Sequence, residues 1–554
     1  MPTTFAVDEL NFCVRYGNRW ILIAIITGMA PLVGLEGTTR DVKIYKNGAN
    51  LSFFCSNWPR FKCPHKSLRQ ICDKKILLYA EHNQNITFIK FSVSEKILKV
   101  SLFRLRFTMN NAILLNEIMH AEQKMDIKRD VYLNRLIARK NNGLIKVITG
   151  IRRCGKSYLM NNLFYRYLLE AGTPEDHIIR FAFDSAKDLL SIGEDLTALI
   201  RERRKVDPAK FIKYISNKIN DDGNYYLLLD EIQELNGFES VLNGYLRNDN
   251  TDIYVTGSNS KFLSTDILTE FAGRGDEIHI LPLSFSEFLP SYGGDTDAAL
   301  EEYMVYGGLP ATLSFKTDEQ KIAYLETQLK TVYLQDVVKR NNLFSDRDIG
   351  ELLDVLSSCI STLTNPSKLA DTFRSVKRST IAASTIGKYI EYLQEAFIIK
   401  KALRYDVKGR KYINTPYKVY FEDIGLRNAR LNFRQTEPTH IMENIIFNEL
   451  RYRGYNVDVG VVESREYDGG KDVKRQLEID FVANLGNKRY YIQSAYDIPT
   501  EEKRLQETRS FDKTGDSFKK VIIIERNIKP RRDDKGYLTI GLRQFLLDPD
   551  SLDL

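Results

Sequence analysis

GIRRCGKS, residues 150–157, decides how this chain folds. It lies between an apolar run at 144–149 (LIKVIT) and a helix-patterned segment that begins at Tyr158 (YLMNNLFYRYLLE). The spacing G-x-x-x-x-G-K-[ST] between a strand and a helix predicts a phosphate-binding loop, the Walker A pattern. Glycines let the backbone close around phosphate oxygens, and the helix N-terminus turns free N–H groups toward them. Lys156 is placed to reach the β- and γ-phosphates, and Ser157 to ligate Mg²⁺. The candidate nucleotide-binding residues are therefore Gly150, Ile151, Arg152, Arg153, Cys154, Gly155, Lys156, Ser157 and Tyr158.

Hydrolysis needs more than a cradle: a carboxylate must order the metal and another group must activate water. Residues 225–231 read YYLLLDE, an apolar run suited to a buried parallel strand that ends in two acids. Asp230 is expected in the Mg²⁺ shell, and Glu231 beside the attacking water. A further strand-like run, DIYVT at 252–256, leads into Gly257-Ser258-Asn259-Ser260. A polar side chain there would sense the γ-phosphate, and Ser258 and Asn259 are both candidates. The segment AGRG, 272–275, sets Arg274 in a turn. Such an arginine either stabilises transition-state charge, at its own site or a neighbouring subunit's, or is simply solvated. Arg152 and Arg153 add positive potential at the loop or pair with acids elsewhere.

GIRRCGKS, YYLLLDEIQEL, YVTGSNSKFLS, AGRG and LPLSFSEFL, in this order, resemble a prokaryotic AAA-type ATPase family whose core is followed by a C-terminal domain of unknown function. The resemblance covers roughly 125–554. It implies an additional-strand P-loop core, a parallel sheet with helices on both faces, with Glu231 as the catalytic glutamate. The strand-like HIIRFAFD (177–184) falls between the two Walker motifs, as that arrangement requires. The resemblance also implies ATP rather than GTP; an AAA-type core often works as a ring, so a homo-oligomer is one option and the oligomeric state stays open.

The 554 residues suffice for several domains, and 43% hydrophobic with 28% charged residues is ordinary for a globular protein. A net charge of +7 permits nucleic-acid contact without demanding it. Six cysteines give no disulfide framework, and Cys154 inside the phosphate loop suits a reducing cytoplasm. The apolar stretch WILIAIITGMAPLVGL, 20–35, is short for a membrane span and interrupted by Gly and Pro, so neither export nor a membrane partner is expected.

Five segments are expected. Residues 1–124 hold both tryptophans and four of the six cysteines and show no clear periodicity. They read as an upstream extension from a misplaced start, or a poorly ordered appendage. Cys55, Cys63, His65 and Cys72 are drawn to zinc only with irregular spacing. The ATPase core spans 125–290, and a helical connector with the turn YGGLP (306–310) spans 291–348. At 349–429 the pattern predicts a winged helix. Ser384-Thr385 is placed to cap its third helix, and Lys408-Gly409 to turn its wing. Lys400, Lys401, Arg404, Lys408, Arg410 and Lys411 make the wing basic, which suits DNA phosphates or packing on the core.

Residues 430–554 resemble the PD-(D/E)xK restriction-endonuclease-like fold: Glu443 on a helix, Glu478 and Asp480 on a strand, then a hairpin. That chemistry needs E-x-K on the next strand, but the chain reads Gln493-Ser494-Ala495. Nuclease activity is therefore not expected. Lys471, Lys474, Arg475, Lys488 and Arg489 offer DNA contacts or a solvated surface. Two functions compete: a Mg²⁺-dependent ATPase coupled to its C-terminal domains, and a nucleotide-gated switch that binds DNA or an unknown protein with little hydrolysis.

Overall fold

The computed structural model describes residues 127–202, 204–257, 271, 273–343, 346–377, 381–434, 437–468 and 471–554, together with five strands in the first 54 residues. The chain forms two compact units, Met1–Glu117 and Ile118–Leu554. In the first, β1 (Leu10–Tyr16), β2 (Arg19–Ile25) and β3 (Val33–Leu35) make an antiparallel sheet, and β4 (Asp41–Lys46) pairs with β5 (Ala49–Phe54). The apolar stretch at 20–35 thus supplies β2 and β3, with Trp20 opposite Leu35. Among the described residues no helix is long and apolar enough to cross a membrane. Cys55, Cys63, His65 and Cys72 lie outside the described residues.

The second unit opens on a parallel sheet of β6 (Ile145–Thr149), β7 (Ile178–Ala182), β8 (Tyr225–Asp230), β9 (Thr251–Thr256) and β10 (Gly275–His279), in the order β10-β6-β9-β8-β7. Every residue of β6 and β8 is buried because helices cover both faces of the sheet, which suits the apolar run of β8; in β6 the charged Lys146 is buried against Asp252. Leu227, Leu228 and Leu229 are fully buried, each contributing about 1.5–3 kcal/mol. Because β9 lies between β6 and β8, the loop after β6 and the acids after β8 are separated by one strand, and the C-terminal end of β9 faces both. This is the AAA-type P-loop core.

Beyond the core, Ser284 and Glu287 form a reciprocal capping box on the helix Phe285–Tyr292. The YGGLP turn is a joint: Gly308 N–H donates to Asp423 Oδ2 at 2.8 Å, and its carbonyl accepts from Leu283 N–H at 2.8 Å. The helices Arg347–Ser358, Pro366–Thr372 and Ala383–Glu395 then precede a hairpin, β11 (Ile399–Asp406) and β12 (Lys411–Phe421). The third of these helices starts earlier than Ser384-Thr385 suggests. Its N-cap is Ala382 and no side chain caps it, so Ser384 and Thr385 stand within the first turn.

The hairpin also edges a larger mixed sheet. With β13 (Asn456–Asp468), β14 (Lys471–Leu485), β15 (Lys488–Ala495), β16 (Lys519–Ile524), β17 (Arg531–Arg532) and β18 (Leu538–Gly541), the order is β12-β11-β13-β14-β15-β16-β18-β17. The helix Pro438–Tyr452 precedes β13 and is buried along most of its length. It reaches from the larger sheet back to the ATPase core.

Candidate functional site

The phosphate loop leaves the C-terminal end of β6. Gly150 has φ +144°, and a Cβ there would stand 2.2 Å from Ile280 O, so only glycine fits. Arg153 at φ +64° and Gly155 at φ +99° turn the chain into the helix that starts at Lys156. Lys156 is buried, and its Nζ donates to Gly150 O at 3.0 Å and Ile151 O at 3.1 Å, arching over the loop it belongs to. Ile151 and Cys154 are buried beneath the loop, while Ser157 is exposed and Tyr158 half-buried. Arg152 pairs with Asp336 at 3.0 Å, and its carbonyl accepts from Tyr333 OH at 2.8 Å. That arginine therefore ties the loop to the connector helices.

Asp230 ends β8. Ser157 Oγ donates to its Oδ1 at 3.1 Å and Asn161 Nδ2 to its Oδ2 at 3.3 Å, and Thr256 Oγ1 also bonds Oδ1. Burial raises the Asp230 carboxyl above its usual range against the pull of these donors. Ser157 and Asp230 present adjacent hard oxygens, the donor type Mg²⁺ prefers, so the residues here fit that ion. Glu231 takes φ +52°, which swings its side chain off the line of the strand. Its backbone N–H donates to Thr256 Oγ1 at 3.2 Å, and Gln233 Nε2 bonds its carboxylate. Asp184, just past β7, is also raised by burial and by the charges of Asp230 and Glu231.

Thr256 and Asp184 escape a linear reading, because what brings them to Asp230 is the strand order rather than any motif, whereas Asn161 follows Ser157 by one helical turn and reaches Asp230 beside it. For Thr256 the signal is the position of β9, whose last residue faces both Walker segments. Ser258 and Asn259 lie outside the described residues. Arg274 is described, and its place corrects one reading. It precedes Gly275, which pairs with Ile145 at the start of β6, whereas the phosphate loop follows the far end of β6. About 16 Å of parallel strand separates Arg274 from its own loop. It cannot serve the site of its own chain, and its guanidinium instead meets Asn243 Oδ1 at 3.3 Å.

Behind the loop, polar contacts lead into the C-terminal region. Thr149, the last residue of β6, meets His279 Nδ1 at 3.1 Å; His279 Nε2 lies 3.0 Å from Glu422 Oε2; and Arg451 Nη2 donates to Glu422 Oε1 at 2.8 Å. Burial works against the Glu422 charge, but Arg451 and His279 hold its carboxyl down to about 2.

The C-terminal acids also converge. Lys418 Nζ, on β12, lies 2.9 Å from Glu443 Oε1, 2.8 Å from Glu478 Oε1 and 3.4 Å from Asp480 Oδ1. Tyr420 OH donates to Glu443 at 2.6 Å. Asp480 N–H donates to Gln493 Oε1 at 3.3 Å, and Ser494 N–H to Asp480 Oδ2 at 2.9 Å. Burial raises the Glu443 carboxyl despite the adjacent ammonium. Glu443, Glu478 and Asp480 are legible in the sequence of residues 441–480, whereas Lys418 arrives from β12, outside that segment. Among the described residues no group of three or more His, Cys, Asp or Glu is arranged to hold a metal ion.

A family model described as an AAA domain matches residues 142–289, and one described as a domain of unknown function (DUF8612) matches residues 297–437. An uncharacterized protein of Haemophilus influenzae is 33% identical over 407 residues, covering 72% of this chain and 94% of its own. The uncharacterized protein MJ1544 of Methanocaldococcus jannaschii is 27% identical over 474 residues, covering 82% of this chain and 96% of its own. Among solved structures, the Aeropyrum pernix ORC1 protein in complex with DNA aligns with 56% of this chain and 93% of its own at 11% identity, with a TM-score of 0.26. Protein VC1899 of Vibrio cholerae aligns with 74% of this chain and 97% of its own at 13% identity, with a TM-score of 0.17. Scores this low carry no argument, and the strand order and the sequence relatives decide. The chain belongs, with the Haemophilus influenzae protein, to a family of AAA-type P-loop ATPases in which the AAA domain is followed by a domain of unknown function.

Proposed function

We propose that this protein is a Mg²⁺-dependent ATPase that couples nucleotide binding and hydrolysis to its C-terminal domains. One observation carries the proposal: Ser157 Oγ and Asp230 Oδ1 stand 3.1 Å apart at the mouth of a lysine-bearing phosphate loop, with Glu231 the next residue. The loop N–H groups and Lys156 would bind the phosphates of ATP, while Ser157 and Asp230 would hold the metal. Mg²⁺, when bound there, would supply charge compensation for the phosphate groups. Glu231 orients the attacking water and takes up its proton. Thr256 fixes both acids, one through its carboxylate and the other through its backbone.

Coupling is supported by the path from Thr149 through His279 and Glu422 to Arg451, on the helix that also carries Glu443. A shift at the end of β6 is thereby felt by the larger sheet. We read residues 349–429 as a winged helix and 430–554 as a PD-(D/E)xK-like domain without nuclease activity. Gln493 and Ala495 replace the catalytic acid and lysine, and Lys418 sets an ammonium among the remaining carboxylates. An ATP-consuming core of this kind is proposed to work in the cytoplasm.

A nucleotide-gated DNA switch is the second reading, favoured by the tip of the hairpin. Lys408, Arg410, Lys411 and Tyr412 are exposed there, whereas Arg404 nearer the base is buried and donates to Gln476 at 2.8 Å. Phosphate release by the full chain with Mg-ATP, with and without duplex DNA and beside Glu231→Gln, separates the two. Glu231-dependent release supports the ATPase. Salt-sensitive DNA binding that changes with nucleotide, without turnover, supports the switch. Turnover unaltered in Glu231→Gln sinks the assignment of the base.

A further inference from the structure

Arg129 precedes the helix Asp130–Ala138 and belongs to no nucleotide-binding motif, yet it is 1% exposed. A buried guanidinium is costly unless its donors are satisfied, and here they meet three acceptors. Nε donates to Glu287 Oε1 at 3.1 Å, Nη1 to Cys154 O at 2.8 Å, and Nη2 to Leu281 O at 2.8 Å. Its planar fork fixes these three directions together, as a flexible ammonium would not.

The Cys154 carbonyl belongs to the peptide that enters Gly155, in the middle of the phosphate loop. A trans peptide is planar, so its C=O and N–H point in opposite directions. Drawing Cys154 O toward Arg129 turns the Gly155 N–H away from Arg129, into the concave side of the loop where Lys156 also lies. Gly155 sits at φ +99°, a conformation other residues rarely adopt, and a Cβ there would stand 3.5 Å from Arg129 Nη1. Glycine alone would let this peptide rotate, and the arginine removes that freedom.

The far side of the brace belongs to the C-terminal region. Glu287 Oε1 also accepts from Tyr452 OH at 3.3 Å, at the end of the helix Pro438–Tyr452, while Glu287 Oε2 is held by Ser284 N–H at 3.1 Å. The Tyr452 ring packs edge-on against Tyr132 at 5.5 Å between centroids, and Arg129 lies 4.7 Å from the Tyr132 ring.

We infer that Arg129 is a positioning residue for the phosphate loop, holding the Cys154–Gly155 peptide with its N–H turned toward the phosphates, and that Glu287 and Tyr452 transmit the position of the C-terminal helix to it. The inference rests on the ATPase reading above. The brace acts on a contact made in the ground state and retained in the transition state, so its loss weakens binding more than turnover.

The test uses the full chain. Affinity for Mg-ATP and Mg-ADP is measured by calorimetry, and kcat and KM by phosphate release, for wild type, Arg129→Lys and Tyr452→Phe; circular dichroism checks the fold. Arg129→Lys should weaken both nucleotides about 10- to 100-fold, the value of a charge-assisted hydrogen bond, with KM rising more than kcat falls. Tyr452→Phe keeps the ring and should weaken both about two- to fivefold. A folded Arg129→Lys that binds nucleotide like wild type overturns the inference. Should that variant fail to fold, Tyr452→Phe decides: wild-type affinity overturns the clamp, and weakened affinity for both nucleotides supports it. Wild-type protein that binds no Mg-ATP would instead bring down the ATPase reading, and this inference with it.

Discussion

The backbone N–H of Glu231 donates to the hydroxyl oxygen of Thr256 at 3.2 Å, and the same hydroxyl bonds the Asp230 carboxylate. One side chain at the end of β9 thus sets the spacing between Asp230 and Glu231, the acids proposed to hold the metal and to orient the attacking water. Thr256→Val keeps the shape and removes the hydroxyl. It should lower kcat about 10- to 100-fold while ATP affinity stays within about threefold, because misplacement by a fraction of an ångström is felt mainly in the transition state. Thr256→Ser should restore most of the rate. Equal kcat values for Thr256→Val and wild type, from steady-state phosphate release, would remove Thr256 from the mechanism.

The core was legible because its signals are local. A glycine-bounded loop between a strand and a helix, and an apolar run ending in two acids, each state their role without the rest of the chain. Strand order is not local. It brings Thr256 and Asp184 to Asp230, and it carries Arg274 to the wrong end of the sheet for its own loop. The same holds in the C-terminal sheet. The carboxylates could be read from residues 443–480, but Lys418 lies on β12, and only the fold reveals that it reaches them. The Ser384-Thr385 cap differs for a smaller reason: the hydroxyl residues nearest the apolar run predict a helix start there, and the chain begins the turn at Ala383 without a side-chain cap.

Arg274 can contribute to hydrolysis only in another subunit. If copies of this chain assemble with Arg274 at a neighbour's phosphate loop, Arg274→Ala should lose turnover by about 10³-fold. Lys156→Ala should be inactive for its own reason. Mixing the two inactive variants should then recover activity, because an intact loop in one copy meets an intact arginine in the next. Mixtures that stay as inactive as their parts, at concentrations where size-exclusion chromatography shows an assembly, would assign Arg274 to the solvated surface.

Glu422 makes stability depend on pH in a stated direction. Its carboxyl falls from the ordinary 4.5 to about 2 in the folded protein because Arg451 and His279 outweigh the burial cost. A depressed acid stabilises the fold above its unfolded value, and that contribution is lost as pH falls from about 4.5 through about 2. Such a lowering corresponds to a stabilisation on the order of 3 kcal/mol. Denaturant titrations of wild type and Glu422→Gln should differ by about this amount at pH 7 and converge toward pH 2. A gap that stays constant over that window would mean the loss comes from packing rather than charge.

Lys418 is the remaining case, and its removal should be costly. The ammonium is buried among Glu443, Glu478 and Asp480, and its side chain is 4% exposed. Breaking a buried ion pair by deleting one partner leaves the other uncompensated and typically costs about 3–5 kcal/mol. Lys418→Met keeps the aliphatic stem and deletes only the charge, so thermal unfolding should shift down by several degrees. The carboxylates then repel one another, and the shift should be larger at pH 8 than at pH 5.5, where protonation relieves the repulsion. Adding Glu443→Gln to Lys418→Met should recover part of the loss, because the most deeply buried of the three charges is gone. A Lys418→Met protein that melts like wild type at both pH values would show that the ammonium does not balance these acids. The same protein offers a check on the nuclease reading: Mn²⁺ that raises its melting temperature but leaves wild type unmoved would mean that Lys418 occupies the place a divalent cation otherwise takes.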